Sequence, residues 1–228
     1  GSVTVGAHTF YEILRKLPDG SRVLIDLDPL NEKINITAGR SRFSLTTIAV
    51  DDFPIMASSE YDFTFSIKVN SLKRLFDKVK FAMSMEETRH YLNGVYFHEF
   101  VENEKSFIRT VATDGHRLAK IDSDLPDGAS GIPGVIVPRK TVNELRMIYE
   151  TSEDVVTVSL SETKIRFSTP KLILTSKVVD GTFPDYDRVI PKNNSKKLVI
   201  DALEFSQSVD RVATVSSERA RAVKLSLS

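Results

Sequence analysis

The sequence is 228 residues long, enough for more than one compact unit, and its 31 basic and 31 acidic side chains give a formal charge of zero. It has no cysteine, which excludes disulfides, zinc–thiolate sites and a cysteine nucleophile, and no apolar run near the ~20 residues that cross a bilayer. Neutrality argues against a protein that grips nucleic acid by charge alone, and the opening Gly1-Ser2-Val3-Thr4 lacks the charged and apolar regions of a signal peptide, so the expected location is the cytoplasm.

In chain order, Phe10, Ile13, Leu14 and Leu17 recur at helical spacing and predict a first amphipathic helix. Alternating runs at 33–37 and 42–46 predict strands, followed by the landmark Asp52-Phe53-Pro54. The short run Thr64-Phe65-Ser66-Ile67 leads into a second helix with the stripe Leu72, Leu75, Phe76 and Val79, and with Asn70 as its N-cap. Tyr91-Leu92-Asn93-Gly94-Val95 enters another strand, and Asp114-Gly115 between alternating runs predicts a hairpin. Val142, Leu145, Ile148 and Tyr149 mark a third helix, after which 155–159, 164–169 and 172–176 read as strands. Pro184 and Pro191 frame an extended stretch, and 192–195 looks like a linker. A strand at 197–200, a fourth helix through Phe205, Val209 and Val212 with Asp201 as cap, and a final strand at 222–227 complete the reading.

The chain repeats itself at a lag of about 130 residues, a domain-sized period: Lys33-Ile34-Asn35-Ile36 matches Lys164-Ile165-Arg166-Phe167, and Asp52-Phe53-Pro54 matches Thr182-Phe183-Pro184. Within that period lies a smaller module of strand, helix and several antiparallel strands, two of which make one domain. The expected class is α+β, with residues 1–62 the later part of one domain, 63–192 a whole middle domain and 193–228 the start of a third. A third domain needs more residues, so the chain is expected to be a piece of a longer one. Charge is sorted as well. The second helix carries Lys73, Arg74, Lys78 and Lys80 against Asp77, and Arg139, Lys140 and Arg146 accompany the third, while turns such as Glu99, Glu102 and Glu104 are acidic. The fourth helix, with Asp201, Glu204 and Asp210, breaks this trend. Taken alone, the pattern fits solvated faces as well as it fits a basic surface facing a duplex.

Five motifs, in order along nearly the whole chain, resemble the bacterial beta sliding clamps of DNA polymerase III. They are Gly39-Arg40-Ser41-Arg42-Phe43-Ser44-Leu45, Tyr91-Leu92-Asn93-Gly94-Val95, Thr110-Val111-Ala112-Thr113-Asp114-Gly115-His116-Arg117-Leu118-Ala119, Val135-Ile136-Val137-Pro138-Arg139-Lys140, and Phe183-Pro184-Asp185-Tyr186 running on to Arg188-Val189-Ile190-Pro191. The resemblance implies DNA-clamp domains, each with two helices and flanking antiparallel sheets. It implies a full-length homodimer closed around double-stranded DNA without sequence preference, with no cofactor, metal or membrane. The implied partners are the DNA polymerase III catalytic subunit, the clamp loader, and other polymerases and repair proteins bearing short clamp-binding peptides. By the same resemblance, Leu92, Thr113, Gly115, His116, Arg117, Leu118, Pro184, Arg188 and Val189 form part of the peptide groove. Arg89, His90, Tyr91, Arg139, Lys140, Lys73 and Lys80 are the candidates for contact with DNA, which would go to phosphates. His90 and His8 depart from residues common in the family. Arg40, Arg42, Phe43 and Leu45 are placed on an edge strand at the dimer interface; the alternative is that one of these side chains packs inward.

Catalysis finds little support. His116 and Asp114 are neighbours on a turn without a nucleophile elbow, the four histidines show no metal-ligand spacing, and no phosphate or dinucleotide loop occurs. Asp26-Leu27-Asp28 reads as a strand entering a turn, and the acidic run from Asp122 to Asp127 lacks the closing Glu of a calcium loop. The expectation is a non-catalytic processivity subunit; the alternative is a peptide-binding scaffold that never encircles DNA.

Overall fold

The computed structural model describes residues 2–53, 60–150, 153–215 and 222–226, and the chain divides into two compact units at Glu60 and Tyr61. Pro54 and Leu227, which the sequence reading used, lie outside the described residues.

In the first unit, helix α1 (Ala7–Arg15) precedes three antiparallel strands, β1 (Val23–Asp28), β2 (Lys33–Ala38) and β3 (Ser41–Thr46), in that spatial order. Leu17 falls beyond the end of α1. The Asp28 carboxylate accepts the backbone N–H groups of Leu30 and Asn31, which turns β1 into β2 as expected for an Asp at a strand end. Ile34, Ile36 and Ala38 alternate along β2 and are buried. Phe43 lies opposite Ile36 and Leu45 opposite Ile34, so both share that inward face and are half-buried. The strand's period of two sends these two side chains to the face of their partners, partly inward. Arg42 points with the outward set, Arg40 sits in the β2–β3 turn, and β3 is an edge strand among those described.

The second unit has two four-stranded antiparallel sheets built by an exchange. Strand β4 (Phe63–Lys68) runs directly into helix α2 (Val69–Asp77), and a three-strand meander follows: β5 (Gly94–Glu102), β6 (Lys105–Thr113) and β7 (Leu118–Asp124). Strand β8 (Val135–Pro138) runs into helices α3 (Arg139–Glu144) and α4 (Arg146–Tyr149), and a second meander follows: β9 (Val155–Leu160), β10 (Lys164–Ser168) and β11 (Ile173–Lys177). Each leading strand pairs with the other module's meander, giving the orders β7-β6-β5-β8 and β11-β10-β9-β4. The meander β9–β11 repeats β1–β3 at the lag seen in the sequence.

The helices bury the predicted stripes. Leu72, Leu75, Phe76 and Val79 of the second helical segment, and Val142, Leu145 and Ile148 of the third, are at most 3% exposed. They meet Phe97 of β5 and Phe167 of β10, with Phe76 stacked on Phe97 at 6.0 Å and edge-on to Phe167 at 6.2 Å. Full burial of each such side chain contributes roughly 1.5–3 kcal/mol. Thr110 fastens sheet to helix, its hydroxyl donating to the Leu75 carbonyl at 2.6 Å.

Four expectations are corrected. Asn70 is not a cap: it lies inside α2, because β4 runs straight into the helix and the first N–H, that of Val69, donates to the Asp154 carbonyl at 2.9 Å. The third helix is two short ones meeting at Leu145. Residues 197–200 form no strand, and Val199 is 94% exposed; no described strand lies beside them to take their backbone hydrogen bonds. Residues 222–226 likewise form no strand. Helix α5 (Ala202–Ala213) does begin as predicted, with the Asp201 carboxylate accepting the Glu204 N–H at 2.8 Å.

Candidate peptide groove and cationic faces

The β6–β7 hairpin turns through Asp114, Gly115, His116 and Arg117. One carboxylate oxygen of Asp114 accepts the N–H groups of His116 and Arg117 at 2.9 and 3.0 Å, and the other accepts Arg117 Nε at 3.0 Å. The Thr113 hydroxyl donates to the Arg117 carbonyl and accepts the Gly115 N–H. Partial burial pushes the Asp114 carboxyl pKa up, but these hydrogen bonds outweigh it and hold the group below the usual carboxylate range. Gly115 takes φ +88°, a left-handed conformation natural to glycine.

This turn forms one wall of a cleft of about 680 Å³. The floor is Leu92 and Leu118, and the opposite wall is the segment from Pro184 to Pro191, with Val189 70% exposed at its lip. Eight of the nine residues expected for the groove line it: Leu92, Thr113, Gly115, His116, Arg117, Leu118, Pro184 and Val189. Arg188 stands outside the lining and pairs with Asp185 at 2.7 Å. The cleft also takes Arg89 and Tyr91, expected at DNA, and Lys120, Asp185, Tyr186, Ile190 and Pro191, which the sequence reading did not assign. Tyr186 stood within a quoted motif; its apolar neighbours Phe183 and Ile190 were the available signal. An apolar floor with a rim of Arg89, His116, Arg117 and Lys120 suits an extended peptide with apolar anchors and polar or acidic flanks.

Across the same turn a smaller cleft of about 390 Å³ includes Phe81, Met85 and Arg139, together with His116 and Arg117. A shallow depression beside it gathers His90, Asn93, Arg139 and Lys140. Arg139 and Lys140 occupy the first turn of α3, the end at which the helix dipole disfavours cations, so helix stability does not account for them. Asp77 at the end of α2 is gripped at 2.7 Å by Lys73 of the helix and by Lys80 of the turn that follows it, while Arg74 and Lys78 are exposed and form no ion pair among the described residues. Arg89 is tied to Glu86 at 2.7 Å. The structure thus gathers Arg139, Lys140 and His90, and places Arg89 and Tyr91 at the cleft. Among the described residues no group of acidic, histidine or cysteine side chains could hold a metal, and no helix is long and apolar enough to cross a membrane.

Comparison with known proteins finds three family models in succession: the DNA polymerase III beta subunit N-terminal domain over residues 1–57, its central domain over 66–185 and its C-terminal domain over 187–228. The beta sliding clamp of Caulobacter vibrioides is 49% identical over 227 residues, covering all of this chain and 61% of that protein. That of Escherichia coli K12 is 40% identical over 230 residues, covering 60% of that protein. A crystal structure of the Bartonella birtlesii sliding clamp bound to griselimycin superposes with a TM-score of 0.86 at 47% identity, over 96% of this chain and 58% of that one. The chain therefore spans about three fifths of the length of the relatives it matches.

Proposed function

The chain belongs to the DNA polymerase III beta subunit family, and on that premise we propose that it serves as part of a sliding clamp, the non-catalytic ring that keeps the replicative polymerase on its template. The observation that carries this reading is the succession of three clamp-domain models along one chain. The full-length protein, in this proposal, is a cytoplasmic homodimer that encircles duplex DNA. Processivity then comes from topology, and overall neutrality follows, since a closed ring needs no tight hold on phosphates. Arg139, Lys140 and His90, with α2, would touch passing phosphates, and the β3 edge with Arg40, Arg42, Phe43 and Leu45 would meet the second subunit. Phe43 and Leu45 would contribute there through the rim of the inward face they share with Ile36 and Ile34.

The cleft between the β6–β7 turn and residues 184–191 is proposed as the part of the peptide site that this chain carries. Its occupants would be short segments of the polymerase catalytic subunit, the clamp loader and other polymerases and repair proteins, and griselimycin, which a related clamp holds, would enter the same cleft. Each fully buried apolar anchor contributes roughly 1.5–3 kcal/mol before ordering costs. Synthetic peptides tiling the catalytic subunit test this. At least one should bind this chain and lose binding in Leu118→Arg, which fills the floor; equal binding by Leu118→Arg would remove the cleft from the account.

A further inference from the structure

The segment from Pro184 to Pro191 forms one wall of the cleft, yet among the described residues no backbone hydrogen bond joins residues 183–191 to a strand. Side chains hold them instead. Phe183 is buried, stacked 4.9 Å from the Tyr96 ring of β5, and Tyr186 is 9% exposed beside it. The ion pairs of this segment, Asp185 with Arg188 and Asp187 with Lys192, are local to it. Asp187 feels the charges of Lys120 and Arg109 on the sheet, but among the described residues the segment's side-chain hydrogen bonds to the sheet run through one hydroxyl. Tyr186 Oη accepts a hydrogen bond from Arg109 Nη1 at 3.4 Å and lies 3.2 Å from His98 Nε2.

Both partners of that hydroxyl are themselves fixed. Arg109 is 2% exposed, donates two parallel hydrogen bonds to Asp122 at 2.6 and 2.7 Å, and lies 3.3 Å over the Phe100 ring. His98 Nδ1 is 2.6 Å from the Glu99 carbonyl, so it carries the ring proton and leaves Nε2 to accept from the tyrosine. The order is therefore Arg109 to Tyr186 to His98 to the Glu99 carbonyl, each N–H or O–H donating to the next. The arrangement is directional, and the tyrosine is its only member that also lines the cleft.

We propose that Tyr186 is a positioning residue of the groove: its hydroxyl, held between Arg109 and His98, sets where the wall from Pro184 to Pro191 stands and so how well the cleft receives an anchor. This rests on the peptide-groove reading for its functional consequence. It goes beyond that reading by assigning affinity to a contact beneath the surface. Peptide anchors enter a cleft whose width depends on this wall, and a wall without backbone ties drifts when its tether is cut.

The test uses the whole chain, with griselimycin as the ligand and amide hydrogen exchange as a second readout. Tyr186→Phe keeps the ring and removes only the hydroxyl. It should raise exchange in residues 187–190 on the order of tenfold and weaken griselimycin by about five- to tenfold, with little change in melting temperature. Tyr149→Phe removes a hydroxyl that makes no hydrogen bond among the described residues, from a ring of α4 outside the cleft lining, and should change neither readout. Unchanged exchange and affinity in Tyr186→Phe overturn the proposal, as does a loss confined to melting temperature. Leu118→Arg separates the two claims. If it leaves griselimycin binding intact, the groove reading fails while faster exchange in Tyr186→Phe still supports the tether; if it abolishes binding and Tyr186→Phe does not weaken it, the positioning claim alone fails.

Discussion

Gly115 presses against the Arg89 guanidinium: a β-carbon on the glycine would stand 2.7 Å from Arg89 Nη1. Arg89 is itself held by Glu86, which raises its pKa above the usual guanidinium value through a hydrogen bond and charge attraction. Gly115→Ala therefore meets a side chain that must shift and a left-handed backbone that alanine resists. The variant should lose roughly 1 kcal/mol of stability, mostly from the backbone, measured by urea unfolding. Peptide affinity should fall with it, because the turn forms one wall of the cleft.

Asp77 restrains two of the lysines expected at DNA. Its pKa is pushed up by burial, but the Lys73 and Lys80 hydrogen bonds outweigh this and hold it low, so it is ionised at neutral pH. Asp77→Asn removes that charge and frees both ammonium groups. Binding to duplex DNA should strengthen, and the plot of log affinity against log salt should steepen by about one to two. Fluorescence anisotropy across a salt series measures this; an unchanged slope would show that α2 does not face the duplex.

His98 predicts a pH dependence. Burial holds its pKa below the ordinary imidazole value, the Glu99 carbonyl bond pulls it up, Arg109 pushes it down and Asp122 pulls it up. The unfolded chain therefore takes up this proton at higher pH than the folded one. Its share of stability is complete above about pH 6.5 and is lost as pH falls from there towards the depressed folded value. The Asp122 carboxyl, lowered by the Arg109 hydrogen bonds against the effect of burial, acts only further down, below its ordinary range. Urea unfolding from about pH 8 to about pH 5 should show stability falling in the native chain and falling less in His98→Phe.

What the sequence disclosed depended on how local the physics was. The stripe Leu72, Leu75, Phe76 and Val79 was legible because helical period and burial coincide, and Asp201 because a cap acts within three residues. Asn70 misled because a strand running directly into the helix removed the need for a cap, and 197–200 because an apolar, strand-like run becomes a strand only beside another. The cleft was largely legible through motif resemblance, with Arg188 the residue that turned away. Tyr186 was not, since its hydroxyl meets residues 77 and 88 positions away, and Arg109 gave no sign that its partner would be Asp122 of the next strand. The acidic run containing Asp122 had already failed as a calcium loop for want of a closing Glu, and its first carboxylate is taken by that arginine.

The decisive measurement concerns topology. The full-length protein carrying this sequence is loaded onto nicked circular plasmid with its clamp loader and ATP, and the DNA is then isolated by gel filtration before and after cutting with a single-site nuclease. A sliding clamp travels with the circle and is released when the DNA becomes linear. Equal retention on circular and linear DNA, or none on the circle while peptides still bind, would contradict encirclement and leave a groove-bearing scaffold in its place.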